Sequence, residues 1–184
     1  FVNDRVTKIT TRVSVTSSGA QGNDVSNTPY ISGDGRFVAF RSRATNLVFG
    51  DTNGQYDIFV HDRAFQTTTR VSVSSGGIQG DDQSFAPSIS ADGRFVSFAS
   101  DARNLVSGDT NVDTDIFVHD RQTKTTTRVS VSSSGAEGDD YTIYARISEN
   151  GGFVAMLTRA KNLVPGLNGQ EHIIVHDRQT KTTT

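Results

Sequence analysis

The pentapeptide Thr11-Arg12-Val13-Ser14-Val15 returns as Thr69-Arg70-Val71-Ser72-Val73 and again as Thr127-Arg128-Val129-Ser130-Val131, a step of 58 residues each time. Recurrence at a fixed period of this size marks an array of one supersecondary unit, each copy burying its apolar face against the next. Other segments keep the phase. Ile31-Ser32-Gly33-Asp34-Gly35-Arg36-Phe37-Val38 returns as Ile89-Ser90-Ala91-Asp92-Gly93-Arg94-Phe95-Val96 and, more loosely, as Ile147-Ser148-Glu149-Asn150-Gly151-Gly152-Phe153-Val154. Asp57-Ile58-Phe59-Val60-His61-Asp62-Arg63 returns as Asp115-Ile116-Phe117-Val118-His119-Asp120-Arg121. It returns 57 residues later as His172-Ile173-Ile174-Val175-His176-Asp177-Arg178, so the third copy is one residue shorter.

Each copy holds four strand-like runs of ordered character. The first, around Pro87-Ser88-Ile89-Ser90, is short and made mostly of small residues, as a crowded innermost strand requires. The second, Phe95-Val96-Ser97-Phe98, and the third, Ile116-Phe117-Val118, are near-continuous apolar runs suited to burial on both faces. The fourth, Thr69-Arg70-Val71-Ser72-Val73, alternates, so one face packs while the other meets water, and its Thr and Arg discourage edge-to-edge association. Asp34-Gly35, Asp92-Gly93 and Asn150-Gly151 stand between the first two runs and predict tight hairpins with type I′ turns.

The predicted fold class is all-β: four-stranded antiparallel repeats of about 58 residues, the pattern of β-propeller blades. A β-trefoil, which also has three repeats of four strands, is the alternative, and a stacked β-solenoid a further one. The phase divides the chain into a partial blade of outer strands over 1–16 and blades over 17–74, 75–132 and 133–184, the last with a truncated outer strand. Phe1 falls in the phase of Phe59, and Thr184 stops at the entrance to a fourth strand. A closed ring needs at least four blades. The expectation is therefore either further blades from a longer chain or self-association, two copies giving six blades.

Composition narrows the partners. The 184 residues are 34% apolar, enough for a core, and one Met with no Trp fits a chain dominated by Ser, Thr, Gly, Asp and Val. The 18 basic and 20 acidic residues leave a net charge of −2, without the basic footprint that neutralises phosphates, so nucleic acid is not an expected partner. No apolar run reaches the roughly 20 residues of a membrane span, and Phe1-Val2-Asn3-Asp4-Arg5 lacks the shape of a signal peptide. Membrane insertion is not expected, and a leader removed upstream is compatible with this. The absence of cysteine excludes disulfides and thiolate metal sites.

Ala86-Pro87-Ser88-Ile89-Ser90-Ala91-Asp92-Gly93-Arg94-Phe95-Val96-Ser97-Phe98 and Asp115-Ile116-Phe117-Val118-His119-Asp120-Arg121 resemble the WD40-like, or PD40, blade of TolB-type propellers. The resemblance covers essentially the whole chain. It implies a propeller used for binding or scaffolding, as in periplasmic scaffolds, surface repeat proteins and the non-catalytic propeller domains of some peptidases. The third copy departs from the pattern at Ala145, where the others have Pro29 and Pro87, and at Asn150, where they have Asp34 and Asp92.

The acidic loop holding Asp51, Asn53 and Asp57 is matched by Asp109, Asn111 and Asp115. Oxygen ligands at alternate positions resemble half of a calcium loop, so these six residues are candidate Ca2+ ligands. The alternative is that Asp and Asn cap their own turns. The third copy reads Gly166-Leu167-Asn168-Gly169 and has lost the leading Asp. Asp24, Asp82 and Asp140 recur in the linkers between blades, on the face of the ring where the acidic loops emerge.

His61, His119 and His176 recur once per blade, as do Asp62-Arg63, Asp120-Arg121 and Asp177-Arg178. A catalytic group is needed once, so the repetition predicts a structural bond between strands or blades. No Gly-x-Ser-x-Gly elbow, cysteine nucleophile or phosphate loop is present. The reading is non-enzymatic: an exported scaffold or binding module for protein or glycan, extracellular, cell-surface or periplasmic, with calcium rigidifying its acidic loops. The alternatives are a subunit of a surface fibre or array, and a propeller gating a catalytic domain elsewhere in a longer chain.

Overall fold

The computed structural model describes every residue from Phe1 to Thr184. Fourteen strands and no helix make up the chain. A short hairpin, β1 (Val2–Asn3) and β2 (Thr10–Thr11), precedes three four-stranded antiparallel sheets. The first sheet is β3 (Ser26–Ile31), β4 (Phe37–Ser42), β5 (Asp57–Asp62) and β6 (Thr67–Arg70). The second is β7 (Ser84–Ile89), β8 (Phe95–Ser100), β9 (Asp115–Asp120) and β10 (Thr125–Arg128). The third is β11 (Thr142–Ile147), β12 (Phe153–Thr158), β13 (His172–Asp177) and β14 (Thr182–Thr183). Strands follow chain order within each sheet, the meander of a propeller blade, which excludes the trefoil and the solenoid. No helix is long and apolar enough to cross a membrane.

The core is a series of slabs between sheets. Ala39, Ile58, Val60 and Val71 of the first blade cluster with Val96, Phe98, Leu105 and Phe117 of the second. Ala99, Ile116, Val118 and Val129 of the second cluster with Val154, Met156, Leu163 and Ile174 of the third. Phe98 stacks on Phe117 with centroids 5.9 Å apart, and Phe40 on Phe59 repeats this in the preceding blade. On the third blade Ile173 and Phe153 are exposed.

Two local expectations are corrected. The turn between the first two strands of each blade is not type I′: only the glycine takes positive φ (+73° at Gly35 and Gly93, +71° at Gly151), while Asp34, Asp92 and Asn150 do not. The Gly35 amide bonds to Ser32 O at 2.9 Å, and Asp34 Oδ1 accepts from Ser32 Oγ (2.5 Å) and Arg36 N (2.9 Å). Side-chain acceptance thus builds a wider loop that the aspartate can enter without the left-handed conformation. The fourth strand is also shorter than its alternating pattern predicts, ending at Arg70 and Arg128. At Ser72 the hydroxyl, not the backbone, accepts from Ile58 N at 3.0 Å, and Ser130 does the same for Ile116 N. The ladder gives way to a side-chain bond.

Candidate functional site

The recurring histidines bolt neighbouring blades together. His61 Nδ1 lies 2.9 Å from Thr68 Oγ1, and Thr68 Oγ1 donates at 2.5 Å to Val15 O, on the segment preceding the blade. His119 and Thr126 repeat the chain to Val73 O, and His176 and Thr183 repeat it to Val131 O. A threonine hydroxyl carries one proton, and here it goes to the carbonyl. The imidazole must therefore donate, which fixes the Nδ1–H tautomer. Burial pushes all three histidines below their ordinary range, His119 to about 4, so they are neutral at pH 7.

A serine completes each bolt. Ser17 Oγ accepts from Thr68 N at 3.0 Å, Ser75 from Thr126 N at 3.0 Å and Ser133 from Thr183 N at 2.9 Å. The outermost strand of each blade thus has an edge amide covered by a hydroxyl from the preceding linker.

The acidic loops close on arginine. Arg70 Nη1 lies 3.3 Å from Asp51 and 3.2 Å from Asp57, and Arg128 Nη1 lies 3.1 Å from Asp109, 3.0 Å from Asp115 and 2.8 Å from Glu137. Asp57 also accepts from Ser72 Oγ at 2.5 Å, and Asp115 accepts from Ser130. Asp109, Asp115 and Glu137 offer oxygens within 4.8 Å of one another, with the Arg128 guanidinium among them. Asn53 and Asn111 make no bond to the arginine, although Asn53 Nδ2 also donates to Asp57 Oδ2 at 3.3 Å. Each donates to the following linker, at Gly80 O (2.9 Å) and Gly138 O (3.0 Å), and caps the amide two residues on.

Loop and linker therefore meet on one face, through the asparagine bonds to linker backbone and, in the second copy, through Glu137 of the linker, which joins Asp109 and Asp115 on Arg128; Asp24, Asp82 and Asp140 take no part. Asp24, Asp82 and Asp140 each turn back onto the next amide, at 2.6, 2.7 and 2.8 Å. In the third copy Asn168 caps Gln170 N and meets His172 Nε2 at 2.8 Å.

Burial, reinforced by the neighbouring aspartate, pushes Asp51 and Asp109 up to about 6. Their folded-state values lie above the unfolded one, so the fold holds these protons more tightly and stability falls as pH rises from about 4 to 6. Asp109→Asn removes that penalty. It is expected to raise the melting temperature by a few degrees at pH 7 and to leave it unchanged at pH 3.5, where both side chains are neutral; thermal denaturation at the two pH values checks this.

Arg70 and Arg128, Ser72 and Ser130, and Ser17, Ser75 and Ser133 are the residues that reading the acidic loops alone overlooks. Their signal is nonetheless in the repeat, in the shared Thr-Arg-Val-Ser-Val phrase and the serine two residues beyond it.

No protein-family model matches the sequence, and no curated protein does. Among solved structures, the β-propeller domain of the Trilobed protease from Pyrococcus furiosus overlays with a TM-score of 0.54 at 12% identity, covering 88% of this chain and 41% of that one. Pyrococcus horikoshii acylaminoacyl peptidase overlays at 0.50 with 16% identity, covering 86% and 24%. TolB from Acinetobacter baumannii gives 0.39 at 15% identity, covering 88% and 43%. The chain thus spans less than half the length of each. The fold shown is that of consecutive β-propeller blades, the one the PD40 resemblance implies.

Proposed function

We propose that this chain is a non-catalytic scaffold whose blades present surfaces for binding protein or glycan. One observation carries the reading. The recurring histidine and aspartates, where a catalyst would be sought, are spent on architecture: His119 on Thr126, Asp115 on Arg128 and Ser130, Asp120 on Arg94. The same bonds recur in the preceding blade at His61, Asp57 and Arg36. An active site breaks such a pattern once, whereas these bonds repeat it. Incubation with panels of peptides and glycans is expected to yield binders without turnover; turnover abolished by one substitution would contradict the reading.

The proposal extends to an exported setting, where calcium is abundant, and to self-association or attachment to further blades. Calcium competes with a guanidinium for these loops. Millimolar calcium is expected to raise the melting temperature, and Asp51→Ala with Asp109→Ala to remove the rise. No shift at that concentration rules out a structural calcium site.

A further inference from the structure

Two cavities of about the same size open between blades, one repeat apart: 480 Å³ between the first and second blades and 560 Å³ between the second and third. They correspond position for position. Thr69, Ser74, Ser75, His119, Arg121 and Lys124 line the first, and the same phase supplies Thr127, Ser132, Ser133, His176, Arg178 and Lys181 to the second. No carboxylate lines either cavity.

The charged side chains that line them are all basic. Arg70 and Arg128 also border the cavities but are neutralised by their aspartates. Arg121 and Arg178, by contrast, make no ion pair within 4 Å; burial disfavours their charged form, and Asp62 and Asp120 of the preceding blades act on them only through space. Each spends a single N–H, on Gly93 O at 2.6 Å and on Gly151 O at 2.5 Å, and lies over a phenylalanine of the preceding blade. A guanidinium has five N–H donors. Lys124 and Lys181 are exposed and unpaired.

We propose that each cavity takes one acidic residue of a linear polysaccharide, carboxylated or sulfated, and that adjacent blades hold the same chain. The proposal rests on the binding-module reading and names its ligand class. Cations in a cavity whose own lining holds no carboxylate call for an anion, and the Ser and Thr lining supplies the hydroxyl partners a sugar requires. The volume suits a sugar ring rather than a bare ion. No Phe, Tyr or Trp lines either cavity for a base to stack on, and the imidazoles of His119 and His176 are held by their threonines, which disfavours nucleic acid. Repetition at one blade's spacing gives avidity toward a polymer that a single sugar lacks.

The first blade shows how to test it. Gln66 stands where Lys124 and Lys181 stand and takes the same left-handed conformation, φ 54° against 59° and 59°. Lys124→Gln with Lys181→Gln therefore installs a residue that the repeat already accommodates. Calorimetric titration with dextran sulfate and polygalacturonate is expected to show binding that weakens with salt, with none for neutral dextran. The double variant is expected to bind at least about tenfold more weakly at an unchanged melting temperature.

The variant binding the acidic polymers as tightly as the wild type would overturn the cavities while leaving the module reading intact. Equal binding of neutral dextran, or no binding of either acidic polymer, would overturn the ligand class. So would tighter binding of inorganic polyphosphate.

Discussion

Gly93→Ala is expected to destabilise the fold by about 2–5 kcal/mol, whereas Gly35→Ala, at the same turn of the preceding blade, costs about 1–2 kcal/mol. Both glycines have φ +73°, so a side chain pays the left-handed penalty at either. Their surroundings differ. A Cβ on Gly93 would stand 2.0 Å from the Phe37 ring, while one on Gly35 finds nothing nearer than Arg63 at 3.9 Å.

Phe37 cannot easily step aside, because Arg36 lies 4.6 Å and Arg121 4.4 Å from its centroid. The aromatic of one blade is seated on the turn of the next, and only glycine leaves room. Gly151, 2.2 Å from Phe95, repeats the arrangement, so Gly151→Ala should behave like Gly93→Ala. Denaturant titration of the three variants separates backbone strain from this contact; equal losses at Gly35 and Gly93 would mean that Phe37 yields.

Arg128→Met has the second large effect, a loss of about 3–5 kcal/mol at neutral pH, the scale for breaking a buried ion pair by removing one partner. The substitution keeps much of the side chain's volume and strands Asp109 and Asp115, both nearly buried, without their cation. Asp109 already sits up to about 6, and losing the guanidinium pushes it further. Relative to the wild type, the variant therefore recovers as pH falls and its carboxyls protonate. Denaturation at pH 5 and pH 8 checks the sign: a deficit that grows on acidification would mean that the aspartates are not what Arg128 holds.

The blades were legible because a propeller repeats its sequence as well as its shape. Small inner strands, apolar middle strands and a Gly turn at one phase leave few alternatives for four strands in about 58 residues. The structural role of the histidines was also legible, since His61, His119 and His176 recur where a catalyst would not. Their partners were not. Thr126 is seven residues from His119, but Val73 O and Ser75, which complete the bolt, are some fifty residues away and come from the preceding repeat.

The acidic loops show a second limit. Spacing revealed that Asp109 and Asp115 approach one another, but the cation between them, Arg128, lies beyond the next strand. Similarly, Asp92-Gly93 reads as a turn from its own residues, while the need for glycine comes from Phe37 in another blade. Contacts within a repeat can be read from pattern; contacts between repeats need the twist that sets one blade against the next.

The interpretation of the recurring histidines as neutral bolts is tested most directly by nitrogen-15 NMR of His61, His119 and His176. The geometry predicts protonated Nδ1 and bare Nε2 in all three, with no titration at the ordinary value of 6.5 and His119 protonating only near 4. Rings in the Nε2–H tautomer, or titrating near 6.5, would contradict it and return these residues to the candidates for chemistry.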